Sequence, residues 1–232
     1  MYKLIRKHIS NLVAHPKKFE VRSYSQSGED ILIKLALDSL GISHPTYLDI
    51  GANHPYCLSN TYLFYSTGSN GVLVEPNMAL CENLKRKRKR DLCINCGVGI
   101  NDKSEADFYI MDADVLSTFS KEEAESIESQ GTYEIDKVVS VPLVNINTII
   151  ENNFTRAPDI ISIDIEGMDY SILKSFDFSR HRPAVFCTET LKYDEHGRAP
   201  KIKEIIDLMI DNDYFIFADT YINTIFIDKK IW

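Results

Sequence analysis

Apolar positions along the chain fall into two alternating rhythms. Short runs of adjacent apolar residues read as strands buried on both faces: YLDI from Tyr47, VLV from Val72, LCINCGVGI from Leu92, VVSVPLV from Val138, IISIDI from Ile160 and AVFCTE from Ala184. Between them, helical spacing is seen in ILIKLALDSL from Ile31 to Leu40, in the aromatic stretch around Tyr62, from Met78 onward, over Ile146 to Ile150, after Asp169 and in KIKEIIDLMIDN from Lys201. Ser27, with Asp30 three positions on, is the expected N-cap of the first of these helices, and Gly41 its stop. ADFYIMD from Ala106 alternates, and YFIFAD and NTIFID close the chain as two further strands. Strands and helices taking turns predict a single domain built on a mostly parallel α/β sheet.

Two segments stand outside that alternation. Residues 1–24 begin with MYKLIRKHISNLV, where Ile5, Ile9, Leu12 and Val13 share a helical face away from Lys3, Arg6 and Lys7; a helical extension packed on the domain or across a homodimer is expected. Residues 112–137 have no clear period and are rich in Ser, Glu and Asp, which predicts a loop or a short helix (KEEAESIES) inserted beside the site.

Charge narrows the partners. With 34 Asp and Glu against 26 Lys and Arg, the chain carries a net charge of −8, unsuited to general nucleic-acid binding, which needs a basic face. The six cations from Lys85 to Arg90 are read as a solvated helix end that complements the helix dipole. Five scattered cysteines fit reduced, buried thiols in a cytoplasmic protein; Cys93 and Cys96 form a CxxC, but no second pair lies at zinc spacing. No stretch is long and apolar enough to be a transmembrane helix, and the N-terminus lacks the pattern of a secretory signal.

Chemistry concentrates where strands are predicted to end. YLDIGAN, Tyr47 to Asn53, places Asp49 in a buried strand and Gly51 at the sharp turn after it, and ligands of open α/β sheets sit beyond such carboxyl ends. The next strand ends at Glu75, which follows Asp49 by 26 residues; that is the length of a strand, crossover helix and strand, and the position of a ribose-binding acid. Asp164 and Glu166 emerge from the IISIDI strand on one side of the chain, and Glu189 ends the one after it. GANHPY is not the GxGxxG of a dinucleotide-binding turn, and an acid ahead of the glycine suits a cation or ribose hydroxyls better than a pyrophosphate. An NAD-dependent oxidoreductase and a non-catalytic binding module remain the alternative readings.

Taken together, SQSGED at Ser25 to Asp30, YLDIGANHP at Tyr47 to Pro55, SNTYLFY at Ser59 to Tyr65, VLVEPN at Val72 to Asn77, LSTFS at Leu116 to Ser120 and ISIDIEGMDYSILKS at Ile161 to Ser175 resemble the FkbM-type methyltransferases that use S-adenosylmethionine (SAM). The resemblance implies a three-layer, Rossmann-like class I sheet of seven strands, the last antiparallel, over residues 25–232. It also implies O-methylation of a saccharide hydroxyl, with a nucleotide-linked sugar for a surface glycan as one such acceptor. By the same likeness Asp49, Gly51 and Asn53 shape the turn beneath the methionine part, and Glu75 accepts both ribose hydroxyls. Asn77 supports the adenosine side, Gln26 and Glu29 either reach the methionine end or merely cap a helix, and Asp164 completes the cofactor contacts. A hydroxyl acceptor must lose a proton, and the general-base candidates are Glu166 and Glu189, then His54, with Asp164 and His196 behind them. A divalent cation held by Asp164, Glu166 and Glu189 is the other way to activate a hydroxyl; the choice between base and metal stays open.

Overall fold

The computed structural model describes residues 17, 20–100, 103–165, 167–191 and 200–232. The N-terminal amphipathic segment, Glu166 and the His196 loop lie outside the described residues.

Seven strands form the main sheet: β1 (Tyr47–Ile50), β2 (Gly71–Val74), β3 (Leu92–Ile94), β7 (Ile160–Ile163), β8 (Val185–Glu189), β9 (Tyr214–Asp219) and β10 (Asn223–Asp228), in the order β3-β2-β1-β7-β8-β10-β9. β1 pairs in parallel with both β2 and β7, whereas β10 runs antiparallel to β8 and β9, so the expected sheet with an antiparallel last strand is present. Strand order reverses between β1 and β7, and a crevice opens beyond the carboxyl ends of strands at such a point.

Why these runs become central strands is visible in their burial. All four residues of β1, β2 and β7 are buried, so side chains on both faces need a cover of helices. On one face Tyr47, Leu73, Ile160 and Val185 meet Ile33 and Leu37 of α1 (Glu29–Ser39), Phe64 of α2 (Tyr62–Ser66) and Leu84 of α3 (Met78–Lys87). On the other, Leu48, Val74, Ile161 and Phe186 meet Ile149 of α5 (Ile146–Asn153), Leu173 of α6 (Asp169–Ser175) and Met209 of α7 (Lys203–Asp211). Three layers result. No helix of the described residues is long and apolar enough to cross a membrane.

Three expectations are corrected. Ser27 does not cap α1: Gly28 occupies the cap in a left-handed conformation, and the Ser27 N–H donates to Glu29 Oε2 at 2.8 Å. LCINCGVGI is two short strands rather than one, because β4 (Gly97–Val98) leaves the main sheet and pairs with β6 (Ile135–Val144), which in turn pairs with β5 (Glu105–Met111). The break lies at Asn95, whose side-chain amide donates to the carbonyls of Glu75 and Pro76 at 2.9 and 2.8 Å and so ties the crossing point to the end of β2. Finally, the cation run is not wholly solvated, since Arg88 is fully buried while Lys85, Arg86, Lys87, Lys89 and Arg90 are exposed.

The small β4-β6-β5 sheet carries most of the inserted region. Phe108, Ile110 and Val141 pack with Phe119 on one part of it, and Met111 packs with Ala124 and Ile127 of α4 (Lys121–Ser129) on another. α4 is the short helix expected from KEEAESIES, and Ser120 Oγ caps it by accepting from the Glu123 N–H at 3.2 Å. Of the five cysteines Cys57 is exposed and the rest are buried, with Cys93 and Cys96 in cores on opposite faces of the sheet.

Candidate active site

Gly51 sets the geometry of the turn after β1. It adopts φ +83°, and a Cβ there would lie 2.0 Å from the carbonyl oxygen of Asp164, so only glycine lets the turn press against the end of β7. The Gly51 and Ala52 N–H groups both donate to the Val74 carbonyl, at 3.0 and 3.2 Å, which fastens this turn to the end of β2. Asn53 follows at φ +44° and directs its own N–H to Glu75 Oε2 at 2.8 Å.

The second oxygen of Glu75, Oε1, accepts the Asn77 N–H at 2.8 Å. A carboxylate offers about four lone-pair directions, so two remain for hydroxyl donors after the two backbone bonds. Burial raises the proton affinity of Glu75, and the charges of Asp114 and Asp49 add to it; the two N–H bonds oppose them, leaving the group at about 7. Asn77 is buried and used at both ends: its Oδ1 caps α3 by accepting from the Ala79 N–H at 3.0 Å, and its Nδ2 donates to Asp114 Oδ1 at 3.3 Å.

From here a cavity of about 420 Å³ runs along the carboxyl ends of the strands. Its floor includes Gly51, Ala52 and Asn53, one end holds Glu75, Pro76 and Asp114, and the other holds Asp164, Ile165, Glu189 and Leu191. Gln26 lines it as well, while Val115 to Phe119 of the insert form a wall. Burial and the charges of Asp49 and Glu29 lift Asp164 to about 6. Glu189, at the end of β8, is lifted to about 8 by burial and by Asp164, Asp169 and Glu123, with Lys201 opposing.

Several sequence candidates lie elsewhere. Glu29 is buried at the start of α1 and does not line the cavity; its Oε1 accepts from Thr220 Oγ1 at 2.6 Å and from Asn223 Nδ2 at 3.3 Å, so it latches α1 to β10. Burial alone would raise its proton affinity, but the bonds from Thr220, Ser27 and Asn223 outweigh burial and hold it below the usual glutamate value. His54 is exposed and also absent from the lining; its Nδ1 accepts the N–H groups of Tyr56 and Cys57 at 3.2 and 2.9 Å, which closes its own loop. Asp49 lies just beneath the cavity floor with Thr61 Oγ1 donating to its Oδ2 at 2.5 Å. Among the described residues no group of three or more His, Cys, Asp or Glu is arranged to hold a metal ion, and Glu166 is outside them.

The insert expected beside the site supplies further lining residues. Asp114, Val115 and Leu116 form a 3-10 turn at the Glu75 end, and Leu58, exposed at φ +56°, borders the cavity opposite them in the chain's order. Glu123 of α4 accepts from Thr118 Oγ1 at 3.0 Å and lends its charge to the Glu189 end. The SxxE spacing from Ser120 to Glu123 was the available signal for α4; nothing local pointed to its meeting Glu189.

A family model described as the methyltransferase FkbM domain matches residues 49–216. No curated protein matches the chain. Among solved structures, a TehB-like SAM-dependent methyltransferase from Corynebacterium glutamicum is 10% identical, with 98% of this chain and 96% of that one covered and a TM-score of 0.44. An O-methyltransferase from Bacillus cereus in complex with SAH is 11% identical over 96% of both chains at a TM-score of 0.46. A SAM-dependent methyltransferase from Clostridium acetobutylicum is 10% identical over 98% and 99%, at a TM-score of 0.48.

Proposed function

The chain belongs to the FkbM methyltransferase family, whose methyl donor is S-adenosylmethionine, and on that premise we propose that it methylates a saccharide hydroxyl in the cytoplasm. A sugar carried on a nucleotide, on its way to a surface glycan, is one acceptor of that class. The observation that carries the reading is a single cavity with a backbone-anchored acid, Glu75, at one end and a proton-accepting carboxyl, Glu189, at the other.

The residues present fit the donor. Glu75 keeps two lone-pair directions for the two ribose hydroxyls. Pro76, Val115 and Leu116 offer apolar surface next to it for the adenine, with Asn77 holding that wall in place through Asp114. Gly51, Ala52 and Gln26 line the cavity where they would hold the methionine part, and Asp49 beneath the turn would add negative potential there. When bound, S-adenosylmethionine supplies a methyl group on a sulfonium, which an acceptor oxygen displaces in line to leave a neutral thioether.

What the chain adds is orientation and proton removal. In this proposal Glu189 takes the hydroxyl proton as the O–H bond breaks, and returns it to water when the product has left. Its raised proton affinity makes the charged, basic form scarce in the empty site at neutral pH, and any positive charge in the cavity increases it. Asp164, between Glu189 and the turn at Gly51, also lines the cavity and would add negative charge near a bound sulfonium. Whether Glu166 shares the base's role, or joins Asp164 and Glu189 around a divalent cation, is read by activity with and without added magnesium after treatment with a chelator.

The test is transfer of labelled methyl from S-adenosylmethionine to a panel of free saccharides and sugar nucleotides. Label in a base-stable methyl ether of a sugar supports the proposal. Label only in non-sugar acceptors overturns the acceptor class, and donor binding without any transfer points to a binding module.

A further inference from the structure

One cation in the run from Lys85 to Arg90 is turned inward. Arg88 ends α3 with no exposed surface, although its neighbours on both sides face solvent. Arg88 Nε donates to Asp91 Oδ2 at 2.7 Å, and Nη2 donates both to Tyr47 Oη and to Thr61 Oγ1 at 3.0 Å. A longer bond of 3.4 Å runs from Nη1 to Ser59 Oγ. Asp91 also receives the Tyr47 hydroxyl at 2.7 Å and the Gly71 N–H at 2.9 Å, so its needs are met without Asp49.

The polarity of the next bond is then fixed. A guanidinium has donors and no acceptor, so Thr61 Oγ1 must accept from Arg88, and its only proton is left for Asp49 Oδ2, 2.5 Å away. Each bond polarises the next in this dry interior, since Thr61 is fully buried and Asp49 nearly so. The relay therefore brings positive charge from the outer end of α3 to the acid under the Gly51 turn.

We infer that Arg88 is a positioning residue for methyl-donor binding: through Thr61 it keeps the Asp49 carboxylate oriented and ionised, so that the crevice floor stays negative beneath a cationic ligand. The inference rests on the reading of the crevice as the S-adenosylmethionine site. Burial, with Asp91 adding to it, raises the proton affinity of Asp49 above that of a free aspartate; Arg88 is the foremost opposing influence, followed by the bonds from Thr61 and Ser162, and limits that rise. The other ionisable groups coupled to Asp49 are Asp164 and Glu75 at neighbouring strand ends and Cys187 on β8, each driven up first by burial and further by its charge. Arg88 is the cation that opposes protonation of Asp49.

The ligand pair that reads this out is S-adenosylmethionine and S-adenosylhomocysteine, which differ by one methyl group and one positive charge. Calorimetry between about pH 6 and about pH 9 is run on the wild-type chain, on Thr61→Val, which leaves the Arg88 to Asp91 pair intact, and on an Arg88→Met, Asp91→Asn double variant, which removes both members of that ion pair together and leaves Asp49 as the group that loses its cation. Circular dichroism confirms folding. In both variants the affinity for S-adenosylmethionine falls on the order of five-fold more than that for S-adenosylhomocysteine near pH 6, and the gap narrows as pH rises and Asp49 ionises. The carboxyl carbon of Asp49, followed by NMR, titrates at higher pH than in the wild type. A merely structural role for Arg88 predicts lower melting temperatures with equal weakening of both ligands at every pH, and that result overturns the inference. If the wild type binds neither ligand, the cofactor reading fails and this inference with it.

Discussion

The two ends of the crevice are built by different means. At the Glu75 end, each carboxylate oxygen is held by a backbone N–H from the residues immediately around it, Asn53 and Asn77, and the turn is locked by Gly51. At the Glu189 end, the buried acid has other acids around it, Asp164, Asp169 and Glu123, contributed by the turn after β7, by α6 and by the inserted α4, with Lys201 as the opposing charge. Backbone donors cost nothing to reorganise and fix one geometry, whereas a group of like charges leaves the protonation state open to whatever binds. A donor site needs the first property, and a proton acceptor that must change state needs the second.

Substitutions can break the distinction in order of expected size. Gly51→Ala forces a Cβ onto the Asp164 carbonyl at a positive φ, and is expected to cost at least about 3 kcal/mol of stability together with donor binding, as read by thermal melting and calorimetry. Glu189→Gln should leave donor affinity near the wild-type value and lower turnover by about 10²-fold or more in a labelled-methyl assay. Glu75→Ala does the reverse: it removes the partner of two N–H groups and, in the proposed donor site, of the ribose, and is expected to weaken the donor by about 10²-fold at constant acceptor affinity.

The smaller effects sharpen the comparison. Glu75, Asp164 and Glu189 all hold protons more tightly in the folded chain than in an unfolded one, at about 7, 6 and 8. The folded state therefore binds more protons over that range, and the ligand-free protein should lose stability as pH rises from about 5 to about 8. Asp164→Asn and Glu189→Gln should flatten the dependence of melting temperature on pH. His54→Ala is expected to change turnover by less than about three-fold, because its ring accepts local N–H groups outside the cavity.

The same contrast explains what could be read from the sequence. Asp49, Gly51 and Glu75 owe their positions to adjacent strands and the turns that follow them, so a local pattern of buried runs ending in acids was enough to find them; the alternation pointed to a mostly parallel sheet, the resemblance implied its seven strands, and the strand order came only with the structure. Glu189 was legible as a strand end, but the acids that set its proton affinity are distant in the chain. Arg88 was hidden by composition: within six cations nothing marks the one whose neighbours Tyr47, Thr61 and Asp91 supply a buried polar socket. Neither Glu29 nor His54 lines the cavity, because each is taken up by bonds of its own: Glu29 by Ser27 and the distant Thr220, His54 by the N–H groups of its own loop. The three-stranded insert sheet could not be inferred from LCINCGVGI, because the switch of β4 to a new partner depends on pairing with β6.

The central claim is that the β1 and β2 ends form the donor site, and calorimetry of S-adenosylmethionine with the wild-type chain and with an Asp49→Ala, Glu75→Ala double variant tests it most directly. Saturable binding to the wild type and none to a folded double variant is the expected result. Equal binding by the two, or no binding to the wild type, would contradict it.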